Sequence, residues 1–270
     1  RKIFGEASSC LGVSIDQLCY GTGPIPPPLQ TICLVTHCYA IYRILLQKYG
    51  PPAAAAGYSQ GEFTAFAAAH VFRFPDALRL IYNLESLLAQ DSPSDECMYR
   101  FIDIPRNVLE TCCKQIDQPG GRLFLSAYIS DMQNVVSGKK ERMQSLFKQA
   151  KLSGARWAID LKADRAYHCP LCNTTREKAT KFFNNIPAYR ADFPVYNCLD
   201  GACRKNGAIL RDNLSKQINH PIHWQTISNN LYANSIQQVI EIGPGCTVSG
   251  NTRIANSKLN CKWIGSTEDL

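Results

Sequence analysis

Gly57-Tyr58-Ser59-Gln60-Gly61-Glu62 is the stretch that decides the reading of this chain. The spacing Gly-x-Ser-x-Gly sets a serine between two glycines, the pattern of a sharp turn from strand into helix that leaves the hydroxyl exposed and the backbone crowded. The flanking residues agree. Ala53-Ala54-Ala55-Ala56 is compatible with a short buried strand, and Phe63-Thr64-Ala65-Phe66-Ala67-Ala68-Ala69 is a helix-forming run with a small-residue face that packs closely. A helix starting here places Ser59 in the positive field of its N-terminus, where a developing oxyanion is stabilised. Taken alone the pattern is also that of an ordinary Gly-Ser turn, so the remainder of the chain has to decide.

A chain of 270 residues buries one large core, or a core plus a small insert. With 45% hydrophobic and 19% charged residues it has the composition of a folded globular protein. No uninterrupted apolar stretch approaches membrane-spanning length, and Arg1-Lys2-Ile3-Phe4 does not open a signal peptide, so no membrane partner is expected. Thirteen cysteines, an odd number, point to reduced thiols and a cytoplasmic home. The net charge of +7 suits an acidic partner, while the absence of a Lys/Arg block with interleaved aromatics argues against nucleic acid.

Before the serine turn the pattern reads helix, rigid Gly23-Pro24-Ile25-Pro26-Pro27-Pro28 connector, then a helix from Leu29 to Tyr49 ended by Gly50-Pro51-Pro52. After it, Pro75 to Ala89 is an amphipathic helix closed by the polar Asp91-Ser92-Pro93-Ser94-Asp95. From residue 97 to 162 the pattern changes to strand (98–104), helix (105–116), strand (123–129), strand (134–138), helix (139–152) and strand (155–161). That β-α-β-β-α-β order is the ferredoxin-like plan. A further helix, the strand 195–197 and a closing helix–strand unit ending at Ile242 complete the chain. The expected division is 1–95 and 164–270 for a large domain, with 96–163 as a small inserted one.

Four motifs in this order carry a resemblance that covers nearly the whole chain: the turn at 57–62, Tyr167-His168-Cys169, Asn219-His220-Pro221-Ile222-His223-Trp224, and Glu241-Ile242-Gly243-Pro244-Gly245. The sequence resembles the malonyl-CoA:acyl-carrier-protein transacylase family, including stand-alone polyketide acyltransferases and acyl hydrolases. Tyr58 stands where that family usually has histidine. The resemblance implies an α/β fold, a large α/β-hydrolase-like domain interrupted by a small ferredoxin-like subdomain that roofs the site. It implies Ser59 as nucleophile and His168 as its base, with the second imidazole nitrogen held by a main-chain carbonyl near the Gly-Pro-Gly turn, around 241–243. The Gln60 N–H is one oxyanion donor. The other four histidines (His37, His70, His220, His223) are read as structural. The implied reaction moves an acyl group from a CoA or carrier-protein thioester, through acyl-Ser59, to the phosphopantetheine arm of an acyl carrier protein. It calls for no cofactor and no metal.

Departures from the family pattern bear on the substrate. Malonyl-specific members carry an arginine, on the helix after the turn, that pairs the substrate carboxylate, and the aligned position here is Leu84. An alkyl group cannot pair a carboxylate. Positions that are asparagine in many relatives align with Ala127 and Ile129, and the four residues ending in the histidine read Arg165-Ala166-Tyr167-His168. Leu84, Tyr58, Ala127, Ile129 and Tyr167 are therefore expected to surround an apolar or monocarboxylic acyl group. Arg165 is read as solvent-facing, with a relocated carboxylate clamp as the other reading. Hydrolysis of the same acyl-serine and an inactive carrier-docking scaffold are the alternative functions. Relatives open with a strand and a Gly-Gln-Gly-Ser-Gln loop that this sequence lacks, and a preceding segment is expected to supply them. Cys169-x-x-Cys172 with Cys198 and Cys203 has loose zinc-knuckle spacing, but in a chain this rich in cysteine chance pairs are expected.

Overall fold

The computed structural model describes residues 1–90, 93 and 95–269. Asp91, Ser92 and Ser94 of the expected polar stretch lie outside the described residues. The chain opens with α1 (Lys2–Leu11), α2 (Ile15–Tyr20) and α3 (Pro27–Tyr49). Prolines at the head of α3 cost nothing, because the first helical N–H groups have no partner, and Gly50 closes it at φ 78°. The helix buries Ile32, Val35, Tyr39 and Tyr42 in the large core, each such side chain contributing about 1.5–3 kcal/mol. Contrary to the sequence expectation, α3 is long and apolar enough to cross a bilayer by length and composition. Thr31, Thr36 and His37 interrupt the apolar run but not the helix, which is half buried in the core.

Next come the two-residue strand β1 (Ala55–Ala56), α4 (Gly61–Ala68) and α5 (Phe74–Gln90). The small residues of α4 let it lie against α3 and α5. Tyr42 donates its hydroxyl proton to the Ala68 carbonyl at 2.9 Å, and Tyr39 stacks on Phe74 with ring centroids 4.3 Å apart.

The next six elements are β2 (Glu96–Ile102), α6 (Arg106–Ile116), β3 (Leu123–Tyr128), β4 (Gln133–Lys139), α7 (Lys140–Leu152) and β5 (Trp157–Asp160). Their strands form one antiparallel sheet in the order β3-β4-β2-β5. Alternation along β2 sends successive side chains to opposite faces. Cys97 and Phe101 join a core with Leu109, Cys112 and Met143 of α6 and α7, whereas Met98 joins Ala127, Val135, Tyr196 and Trp224 on the other face. The sheet is stitched to the rest of the chain where Tyr128 N–H donates to the Ile222 carbonyl (2.8 Å) and Ile222 N–H to the Ser126 carbonyl (2.9 Å). Ile222 thus pairs in parallel beside Ala127 of β3, and its segment does more than precede a helix.

A 3₁₀ turn at Pro170–Cys172 leads into α8 (Asn173–Asn185), followed by β6 (Val195–Tyr196), β7 (Cys203–Arg204), α9 (Gly207–Gln217), α10 (Trp224–Ala233) and β8 (Gln238–Ile242). The chain then adds α11 (Thr247–Ala255) and β9 (Asn260–Ile264), beyond the closing unit expected from sequence. β1 pairs in parallel with β6, and β8 in parallel with β9, in two separate small sheets.

Candidate active site

Ser59 sits between β1 and α4 at φ 55°, a left-handed conformation costing a non-glycine residue on the order of 1–3 kcal/mol. The first turn of α4 holds it there, with Gly61 N–H donating to Tyr58 C=O and Glu62 N–H to Ser59 C=O at 2.9 and 3.0 Å. Gly57 is required by space: a Cβ there would lie 2.1 Å from the Gly61 carbonyl carbon. Gly61 has open space around it, so only the first of the two glycines answers to crowding. Gln60 caps α4, which puts its main-chain N–H beside Ser59 at the positive helix end while its side chain is exposed.

His168 reaches Ser59 from the far side of the small sheet in sequence. Its Nε2 lies 2.7 Å from Ser59 Oγ, and its Nδ1 lies 2.9 Å from the Gln217 carbonyl. With Nδ1–H given to that carbonyl, Nε2 carries the lone pair and accepts the serine proton. The holding carbonyl therefore belongs to the end of α9, not to the turn at 241–243 expected from the resemblance. A main-chain acceptor has no residue identity to be read in a sequence. His168 itself has φ 57° and is buried, and burial pushes its pKa below the ordinary 6.5, with the Gln217 bond pulling the other way.

A buried polar cluster underlies the pair. Glu62, in the first turn of α4 and fully enclosed, accepts from Cys198 N–H at 2.6 Å and from the Gln217 side-chain amide at 2.5 Å. The same amide donates to the Ser59 carbonyl (3.2 Å), and the Cys198 thiol to the Gly57 carbonyl (2.9 Å). Burial drives the Glu62 pKa up to about 8. Sequence reasoning missed Gln217 altogether and weighed Cys198 only as part of a loose zinc knuckle. For Glu62 there was a signal, an acidic side chain on an otherwise apolar, alanine-rich helix.

A cleft of about 680 Å³ opens beside His168, lined on one side by Phe124 and Tyr128 and on the other by Pro170, Asn173 and His220. The remaining histidines lie apart from Ser59. His37 bonds to the Gly265 carbonyl, His70 pairs with Asp192 at the surface, and His223 packs on Tyr128. Tyr58 packs edge-on against Trp224, in the cluster that also holds Ala127 and Ile129. Tyr167 donates to Asp164 at 2.8 Å and touches both large clusters. Leu84 is buried with Leu80, Ile81 and Leu88. Arg165 is buried rather than solvent-facing, its guanidinium donating to the Leu88 carbonyl at 3.0 Å and lying 5.9 Å from the Tyr167 ring. Its fork is engaged at the end of α5, which weighs against a carboxylate clamp.

The thiols of Cys169 and Cys172 both donate to the Ala166 carbonyl, so this Cys-x-x-Cys pair caps the turn after His168. Among the described residues no group of three or more His, Cys, Asp or Glu side chains is placed to hold a metal ion.

No protein-family model matches the chain. It is 28% identical over 259 residues to the malonyl CoA-acyl carrier protein transacylase of Escherichia coli K12, covering 94% of this chain and 83% of that protein. To the Bacillus subtilis transacylase it is 23% identical over 276 residues, covering 100% and 68%. A solved complex of a type II polyketide-synthase acyl-carrier protein with its malonyl-transacylase superposes with a TM-score of 0.93 at 26% identity, covering 99% of this chain and 88% of that one. The acyl carrier protein S-malonyltransferase of Vibrio cholerae does so with 0.93 at 25% identity, covering 99% and 89%. Agreement along nearly the full sequence joins agreement of fold, and the chain is similar throughout to malonyl-CoA:acyl-carrier-protein transacylases, which are acyltransferases.

Proposed function

We propose that the protein transfers an acyl group from a CoA or carrier-protein thioester to an acyl carrier protein through an acyl ester on Ser59, in fatty-acid or polyketide synthesis. The observation that carries this reading is the 2.7 Å approach of Ser59 Oγ to a histidine whose other nitrogen is already committed to a carbonyl. Ser59 Oγ attacks the thioester carbonyl carbon and its proton passes to His168 Nε2. The oxyanion forms against the Gln60 N–H at the head of α4. As the tetrahedral intermediate collapses, the C–S bond breaks and the leaving thiolate takes the proton from His168. The phosphopantetheine thiol then gives its proton to His168 and attacks the ester, and Ser59 recovers the proton as it leaves. Transacylases of acyl carrier proteins are the relatives, and the +7 charge fits an acidic carrier.

The acyl group in this reading is neutral. Leu84 offers a carboxylate no cation, the buried Arg165 guanidinium donates to the Leu88 carbonyl one turn away, and a desolvated, unpaired carboxylate costs several kcal/mol. Ala127 and Ile129 add apolar surface around Tyr58. The sheet order supports a ferredoxin-like small domain at 96–163 inserted in an α/β-hydrolase-like one at 1–95 and 164–270. Thirteen free thiols suit a reducing cytoplasm.

Incubation with a panel of acyl-carrier-protein and CoA thioesters, with protein and carrier weighed by mass spectrometry, tests the reading. Transfer gives an acylated Ser59 peptide and an acylated carrier. Free acid with an emptied carrier would move the function to hydrolysis, and unchanged masses would leave a docking scaffold.

A further inference from the structure

Glu62 is the one acidic side chain enclosed beneath Ser59, and nothing in the transfer chemistry above uses it. Its two oxygens face opposite ways, one to Cys198 N–H and the other to the Gln217 amide. Gln217 meets the reacting pair from both of its ends. The side-chain amide donates to the Ser59 carbonyl, and the main-chain carbonyl receives His168 Nδ1–H. Cys198 meets the turn as well, through its thiol on the Gly57 carbonyl. A ring of contacts therefore runs from Gly57 through Cys198, Glu62 and Gln217 to His168, and closes on Ser59.

A buried carboxyl is costly, and an apolar residue at its place would normally pack more cheaply. Only a two-oxygen acceptor satisfies both donors here. A glutamine can offer one oxygen, and its NH₂ would oppose either the Gln217 amide or the Cys198 N–H. We infer that Glu62 is a positioning residue, which by fixing Gln217 sets both the tautomer of His168 and its distance from the Ser59 hydroxyl. This rests on the proposal that Ser59 and His168 are the reacting pair. The titratable groups around Glu62 are the Cys198 thiol and Asp200, both acidic, with His168 beyond Gln217. Burial raises the pKa of this carboxyl, while the bonds from Cys198 N–H and the Gln217 amide oppose that rise by favouring the two-oxygen acceptor form.

The test uses Glu62→Gln and the more conservative Glu62→Asp in the full chain, with two readouts. The first is the imidazole proton of His168, observed by NMR without any substrate. In the wild type Nδ1–H is held by a carbonyl and exchanges slowly. In Glu62→Gln it is expected to shift and exchange faster, and Glu62→Asp, keeping two acceptor oxygens, recovers part of the wild-type signal. The second readout is loading of Ser59 with a butyryl thioester. The rate constant at saturation is expected to fall by about 10²-fold, the scale of a small misplacement of reacting groups. The final loaded fraction and the half-saturating concentration stay unchanged. A purely structural defect would instead lower the loaded fraction at an unchanged rate. A His168 proton signal identical in wild type and both variants overturns the inference. If the wild type loads nothing while the signal still responds, the reading of function has failed and the positioning role stands. Should Glu62→Gln not fold, Glu62→Asp alone decides by the same signal.

Discussion

Ser59 and Leu84 belong to consecutive stretches of one helical layer, yet their surroundings are opposite. Around Ser59 the buried groups are polar and tied to one another: Glu62 to Gln217 and Cys198, and Gln217 to His168. Around Leu84 the neighbours are Leu80, Ile81 and Leu88. Directional bonds fix where a proton goes, and apolar packing fixes only shape and charge preference. Under the proposed function, reaction class would reside in the polar region and acyl selectivity in the apolar one, so that one could be changed while the other is kept.

The sharpest way to break the polar side is to remove the pair itself. Ser59→Ala should abolish the acyl-enzyme mass shift, and His168→Ala should slow its formation by about 10²–10⁴-fold, the contribution of a positioned general base. An undiminished rate in either variant would remove that residue from the reaction.

On the apolar side, Leu84→Arg should leave loading of Ser59 intact and move its preference toward malonyl thioesters. A guanidinium restores a bidentate partner for the carboxylate, and competition between paired thioesters reads the change. A variant with unaltered preference would place the acyl terminus somewhere other than beside position 84.

Protonation separates the two regions again. Burial of His168 disfavours the imidazolium, so the neutral base persists to lower pH than in a free histidine. The rate of Ser59 acylation is expected to be level at neutral pH and to fall only once pH drops below 6.5. An inflection above that value would mean that His168 is stabilised in its charged form. Relative preference among acyl chains should not follow this titration.

The smallest effect concerns encounter with the carrier. The +7 charge should make the second-order rate with an acidic carrier protein fall from low to physiological salt, as exposed charges become screened beyond about 8–10 Å. A rate indifferent to salt would make the basic balance incidental.

How far the sequence could be read follows the same division. Ser59 was legible because a serine turn needs a glycine at 57, and His168 because its motif recurs in order with the others. The carbonyl of Gln217 was not, since any residue offers one. Arg165 was expected in solvent because arginine usually is, and only the fold brings the end of α5 within its reach. The strands of the antiparallel sheet were legible to within about two residues at their ends, the expected 98–104, 123–129, 134–138 and 155–161 falling on β2, β3, β4 and β5. β9 was not, because Asn260-Cys261-Lys262-Trp263-Ile264 mixes polar and apolar residues and exposes three of its five.

Which acyl group Ser59 accepts is decided by one competition. The wild-type protein, offered equal concentrations of malonyl and butyryl thioesters on the same carrier, is quenched early and the peptide containing residue 59 is weighed. Butyryl should dominate, since the malonyl carboxylate would lose its water beside Leu84 and gain no cation, while each buried methylene contributes about 0.8 kcal/mol. Equal or greater malonyl loading at Ser59, or acylation at any other residue, would contradict that expectation.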